Sequence, residues 1–79
     1  MSKKTDNAML KGFALGGGED PQFEKAGNGY RRCTMQVAGK LRTVFKIPST
    51  SHLDDRALER KARDMARRFV KYDTETLTW

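Results

Sequence analysis

Leu53-Asp54-Asp55-Arg56-Ala57-Leu58-Glu59-Arg60-Lys61-Ala62-Arg63-Asp64-Met65-Ala66-Arg67-Arg68-Phe69-Val70-Lys71-Tyr72 decides the fold reading. Leu58, Ala62, Met65, Phe69 and Tyr72 recur at spacings of four and three, the repeat that lines one side of an α-helix. Arg56, Arg60, Arg63, Arg67 and Lys71 recur at nearly the same spacing on another side, and Lys61 and Arg68 widen it. Residues 53–72 are therefore expected to form one helix that packs with its apolar face and offers cations with the other. Either Ser51 or Asp54 caps its start, and Asp54 and Asp55 suit the positive end of the helix dipole. Glu59 with Arg63, and Asp64 with Arg68, are favourable pairs four residues apart.

Upstream of this helix lies a hairpin pattern. Asn28-Gly29 is a turn signal. Residues 30–37 form one strand, Ala38-Gly39-Lys40 supplies a turn, and residues 41–47 form the next strand, stopped by Pro48. Alternation of side chains along a strand places Cys33, Met35 and Val37 on one face of the first, and Leu41, Phe45 and Ile47 on one face of the second. The helix would cover that face. Tyr30, Arg32, Thr34 and Gln36 fall on the opposite face, with Arg42, Val44 and Lys46 beside them. Arg31 is the misfit of the apolar side, expected at a frayed strand start.

The N-terminal third reads less regularly. Residues 8–15 are a short apolar segment read as a first strand, because Gly12 weakens a helical reading. Gly16, Gly17 and Gly18 end it. Residues 19–28 are polar, broken by Pro21, and read as a loop with Phe23 as its one core candidate. Residues 1–7 read as a flexible arm. The C-terminal segment 73–79 alternates, is rich in threonine, and fits either a short terminal strand or a tail that folds back. The expected fold is one α+β domain over residues 8–79: a three-stranded antiparallel sheet with one C-terminal amphipathic helix across it.

Composition bounds the function. Seventy-nine residues make one small domain, one that buries roughly 60–65% of its unfolded surface. Sixteen basic against ten acidic residues give a formal charge of +6, a balance that favours anionic partners. Cys33 is the single cysteine; no internal disulfide can form, which favours a reducing compartment. No signal-peptide pattern and no run of about 18 apolar residues is present, so the expected location is the cytoplasm, with no membrane partner.

The residue constellations of enzymes and metal sites are missing. His52 has no second histidine or cysteine at ligand spacing. Cys33 sits in an apolar strand pattern and is expected to be an inert buried thiol. Gly16 to Gly18 are followed by Glu19-Asp20-Pro21, where a phosphate loop needs lysine and serine or threonine. The expectation is no catalysis, no cofactor, no metal and no small-molecule substrate. What remains is a basic surface. On the sheet face, Tyr30, Arg32, Thr34, Gln36, Arg42 and Lys46 are side chains of the kind that reach base edges and phosphates, and a two-stranded ribbon fits a major groove. The helical row of Arg56, Arg60, Arg63, Arg67 and Lys71 is a second basic surface, made of cations alone.

The hairpin Gly29-Tyr30-Arg31-Arg32-Cys33-Thr34-Met35-Gln36-Val37-Ala38-Gly39-Lys40-Leu41-Arg42-Thr43-Val44-Phe45, followed by a helix with Ala57 and Ala62, resembles the three-strand-plus-helix domains at the amino end of tyrosine recombinases (integrases). In outline it is also similar to plant AP2-type domains. The resemblance spans residues 29–70 and is one of topology. It implies a sheet seated in the DNA major groove, with Arg32, Thr34, Gln36, Arg42 and Lys46 in contact. The leading expectation is a small non-enzymatic DNA-binding protein, such as a regulator or accessory factor of a phage or mobile element, bound to duplex DNA. The alternative is a small phage-type inhibitor or adaptor that docks on an acidic protein surface.

Overall fold

The computed structural model describes residues 3–79. The elements run α1 (Lys3–Leu15), β1 (Glu19–Gly27), β2 (Tyr30–Val37), β3 (Lys40–Pro48), α2 (Asp55–Lys71) and β4 (Thr76–Thr78). The sheet has four strands in the order β1-β2-β3-β4. The first three are antiparallel neighbours, and β4 runs parallel to β3. The fold is α+β as expected, but with a mixed sheet of four strands and a second helix.

α2 begins at Asp55 rather than Leu53, and of the two candidate caps the structure takes Asp54. Asp54 is the N-cap, and its side chain accepts the Ala57 N–H at 2.8 Å. Leu58, Ala62, Met65 and Phe69 are buried as expected and Ala66 joins them, whereas Tyr72 is exposed. The helix ends in a Schellman turn. The Thr74 N–H reaches Phe69 O, the Asp73 N–H reaches Val70 O, and Asp73 takes a left-handed φ of 48°.

The strand expected over residues 8–15 is instead the second half of α1. Of the arm expected over residues 1–7, Met1 and Ser2 lie outside the described residues, and Lys3 to Asn7 are helical. Met9, Gly12, Phe13 and Gly16 share a helical face, and Met9, Phe13 and Gly12 are buried. Gly12 and Gly16 face α2 directly. A Cβ on Gly12 would lie 2.2 Å from Glu59 O and 2.7 Å from Ala62 Cβ; on Gly16, 2.4 Å from Arg63 O and 2.7 Å from Ala66 Cβ. Both sequences advance together, so the helices run parallel, joined by two small-residue stripes. This close approach offsets the helix cost of glycine, about 1 kcal/mol per residue. Gly17 (φ 102°) closes α1 with its own Schellman turn, in which the Gly18 N–H donates to Phe13 O at 2.7 Å.

The segment 19–28, expected as a loop, holds β1. It is an edge strand with two register irregularities, and an edge tolerates Pro21. Only Phe23 turns toward the core. β2 alternates as expected, with Arg31, Cys33, Met35 and Val37 buried.

β3 faces the other way from the sequence reading. Its turn has two residues, Ala38 (φ 53°) and Gly39 (φ 77°), the double left-handed geometry of a tight hairpin. Lys40 is already paired with Val37, Leu41 with Gln36, and Arg42 with Met35. Opposed residues share a face, so the one-residue difference in turn length inverts the strand. Arg42 and Val44 point inward; Leu41 and Phe45 point out, 59% and 37% exposed. A bulge then adds a residue to β3 between the pairs Cys33–Val44 and Arg31–Ile47. Lys46 sits in it at φ 59°, and Ile47 returns to the core.

One contiguous core forms from Met9, Phe13, Cys33, Met35, Val37, Val44, Ile47, Leu58, Ala62, Met65, Ala66 and Phe69. Both helices cover one face of the sheet, and the other face is open. β4 sends Leu77 to the core side, and Trp79 packs edge-on to Phe13 at 6.3 Å.

Candidate nucleic-acid interface

Two surfaces were expected to carry function, and the structure separates them onto opposite sides of the molecule. The sheet face is the less basic. Tyr30, Arg32 and Gln36 are exposed there, with Thr34 half-buried. Arg32 is held by Glu24 of the neighbouring strand, Nη2 to Oε2 at 2.7 Å. Asp20 also lies on this side, in a shallow groove with Gln22, Glu24, Thr34, Gln36 and Leu41. Arg32 is thus opposed by Glu24, with Asp20 in the same groove, and that end of the face carries no excess of positive charge.

Arg42 is not a contact position on this face. It is 3% exposed on the core side, donating from Nε to Val37 O at 3.3 Å and from Nη1 to Thr74 O. Its guanidinium lies 6.0 Å from the Phe69 ring centroid. The inverted register put it there. Arg42 therefore ties the β2–β3 hairpin to the turn after α2, a structural role. Arg31 is likewise buried rather than frayed. Its Nη1 meets Asp6 Oδ1 at 2.9 Å, and its guanidinium stacks over Phe23 at 4.5 Å.

The helical row is where the sequence places it. Arg56, Arg60, Arg67 and Lys71 are exposed on α2, and Arg63 is half-buried. At 1.5 Å per residue the row spans about 22 Å. The acids of this helix are engaged. Glu59 Oε1 meets Lys11 Nζ at 3.3 Å, and Asp64 Oδ1 lies 3.6 Å from Arg63 Nε. Among the described residues no carboxylate lies within ion-pair distance of Arg56, Arg60, Arg67 or Arg68. Lys61, expected to widen the row, instead sits 4.6 Å over the Trp79 ring. The Gly12–Gly16 seam fixes which side of α2 faces α1, and so which side is left for the arginines. At the rim of this surface, exposed Leu15, the arginines Arg56, Arg60 and Arg63, and Glu59 border a shallow cleft of about 280 Å³.

Other chemistry is confined. Burial pushes the Cys33 thiol up to about 12, which keeps it protonated and unreactive at neutral pH. Among the described residues no group of three metal-ligating side chains converges, and no helix is long and apolar enough to cross a membrane. Comparison of the chain with models of known families, with curated proteins and with solved structures finds no match.

Proposed function

We propose that this chain is a small, non-enzymatic nucleic-acid-binding protein that holds the phosphates of a duplex along the outer face of α2. The observation that carries this reading is the row Arg56, Arg60, Arg63, Arg67 and Lys71, on one rigid helix, with most of its cations lacking an acidic partner. Arginine donates in a planar fork that matches phosphate oxygens. A row of cations without neighbouring amides or hydroxyls suits phosphate contacts, which fix the register of a duplex. The reading moves the contact surface from the sheet, where Arg42 is internal and Arg32 is paired, to the helix. DNA and RNA duplexes share the phosphate chemistry, so the test carries both.

The test is fluorescence anisotropy with a labelled DNA duplex and a labelled RNA duplex at two salt concentrations. Neutralising four or five phosphates gives a log–log slope of about −4 against salt. Arg60→Gln with Arg67→Gln should weaken binding at least tenfold and flatten the slope by about two phosphates. Absence of binding at low salt, or equal binding by that variant, overturns the proposal. The second reading, docking on an acidic protein, is favoured by one feature: exposed Leu15 beside Arg56 and Arg60 is the apolar-plus-arginine mixture of protein interfaces. It gains if neither duplex binds while nuclease-treated lysate yields a partner that the variant loses.

A further inference from the structure

The open sheet face holds a feature that the α2 row does not use. At the end of the sheet nearest the Asn28-Gly29 turn, all four strands contribute to one groove of about 510 Å³, lined by Ala26, Gly27, Tyr30, Phe45, Lys46 and Thr78. Two aromatic side chains on neighbouring strands stand in solvent here, Tyr30 at 49% exposed beside half-exposed Phe45. A solvated sheet face has no need of either. Lys46 occupies the bulge in a left-handed conformation, a backbone geometry unfavourable for a residue with a Cβ and one that re-aims its side chain. No acid lines the groove, and among the described residues no carboxylate pairs with Lys46.

We infer that this groove is a stacking site for unpaired nucleobases of single-stranded nucleic acid. Tyr30 and Phe45 supply π-faces, which any base can stack on. Lys46 meets the adjoining phosphate, and the Thr78 hydroxyl is the group placed for a base edge. Ala26 and Gly27 form a low wall that leaves room for a flat ring. Charge favours this occupant. Among the described residues the sole charged group of the groove is a cation, on a chain of net charge +6, where a neutral or basic protein surface would leave Lys46 uncompensated. The inference shares with the proposed function only an anionic polymer as partner, since it uses the side of the molecule opposite the α2 row.

The experiment uses the full chain, ¹⁵N-labelled, with an oligothymidylate of about ten nucleotides, a length within the range of single-strand sites, and in parallel the DNA duplex. The single strand should move the amide resonances of Tyr30, Phe45, Lys46 and Thr78. Tyr30→Ala with Phe45→Ala should weaken oligothymidylate binding at least thirtyfold and leave duplex affinity within twofold. Tyr30→Phe, which keeps the ring, should bind as wild type, and a dispersed amide spectrum of the double variant guards against loss of its folding. Oligothymidylate shifts confined to α2 overturn the groove and leave the proposed function standing. Open-face shifts with the single strand and no duplex binding support the groove and overturn the α2 reading. Open-face resonances that shift with protein concentration alone assign the groove to a second copy of the chain, and overturn the inference.

Discussion

Gly12→Ala tests the seam between α1 and α2 with a sign, not only a size. By helix propensity alone the change should stabilise α1 by about 1 kcal/mol. The structure demands the opposite. The new Cβ would stand 2.2 Å from Glu59 O and 2.7 Å from Ala62 Cβ, while ordinary contacts of such atoms begin at about 3.3–3.5 Å. The obstructing oxygen is backbone, so it cannot rotate aside. The two helices must separate by about 1 Å, and a gap of that size forfeits a quarter to a half of each affected contact across the seam. Overpacking of this kind costs about 1–3 kcal/mol; near the upper limit, because backbone must move, the net after propensity is about 2 kcal/mol destabilising. For a domain of this length that lowers Tm by roughly 8–16 °C. The assay is thermal unfolding followed by far-ultraviolet circular dichroism, with Gly27→Ala as control. Gly27 has nothing within 4 Å of a built Cβ and should change stability by no more than about 0.5 kcal/mol. A Gly12→Ala protein that melts at or above the wild-type temperature would refute the seam as described.

Arg42→Ala should cost about 2–4 kcal/mol in urea unfolding, since it opens a cavity and strips the carbonyls of Val37 and Thr74 of their donor; Arg32→Ala, which breaks an exposed pair, should cost under about 1 kcal/mol. Equal effects would return Arg42 to the surface. Phe69→Ala, fully buried between α2 and the sheet, should cost about 3–5 kcal/mol, and a melt within a degree or two of wild type would show the wrong helical face. The Cys33 thiol is raised from 9.0 to about 12 in the fold, so it stays neutral when the unfolded chain ionises. Its stabilising contribution is whole below about pH 9 and is lost as pH rises from there toward 12, at up to about 1.4 kcal/mol per pH unit. Wild type should therefore lose more stability than Cys33→Ala between pH 9 and 10.5, and parallel pH profiles would contradict the burial of the thiol.

What could be read from the sequence was set by how many independent signals agreed. α2 carries a period and a cap, and its buried face and basic row were legible except at Tyr72, which is exposed, and Lys61, which sits over Trp79. β2 alternates cleanly over eight residues, which fixed Tyr30, Arg32, Thr34 and Gln36 on the open face. β3 failed on a single residue. Ala38 in a left-handed conformation is not a turn signal, and a two-residue turn read as three inverted the strand, hiding Arg42 from view as a structural residue and Phe45 as an exposed ring. The bulge at Lys46 hid the inversion further, because it restored Ile47 to the expected side. α1 was missed because Gly12 counts against a helix in isolation and Gly16 was read only as the end of the segment. The signal that finds it is relational: Gly12 and Gly16 share the four-residue spacing of Ala62 and Ala66, and only the tertiary contact gives that match its meaning. β1 offered one inward apolar residue, Phe23, and an interrupting proline, too little for alternation to register.

The seam has a further consequence for how the molecule assembles. Gly12 and Ala62 touch across about fifty residues of chain, and closing a loop of that length costs roughly 3.5 kcal/mol in entropy beyond a constant term. Neither helix has a near neighbour in sequence that can substitute for the other. The β1–β2–β3 meander consists of two short-range turns, so it can close first and shorten the span that the helices must bridge. α1 should then dock late, onto an α2 already laid across the sheet. Folding should accordingly be slow for so short a chain, with unfolding rates sensitive to Gly12 and refolding rates sensitive to the Ala38-Gly39 turn.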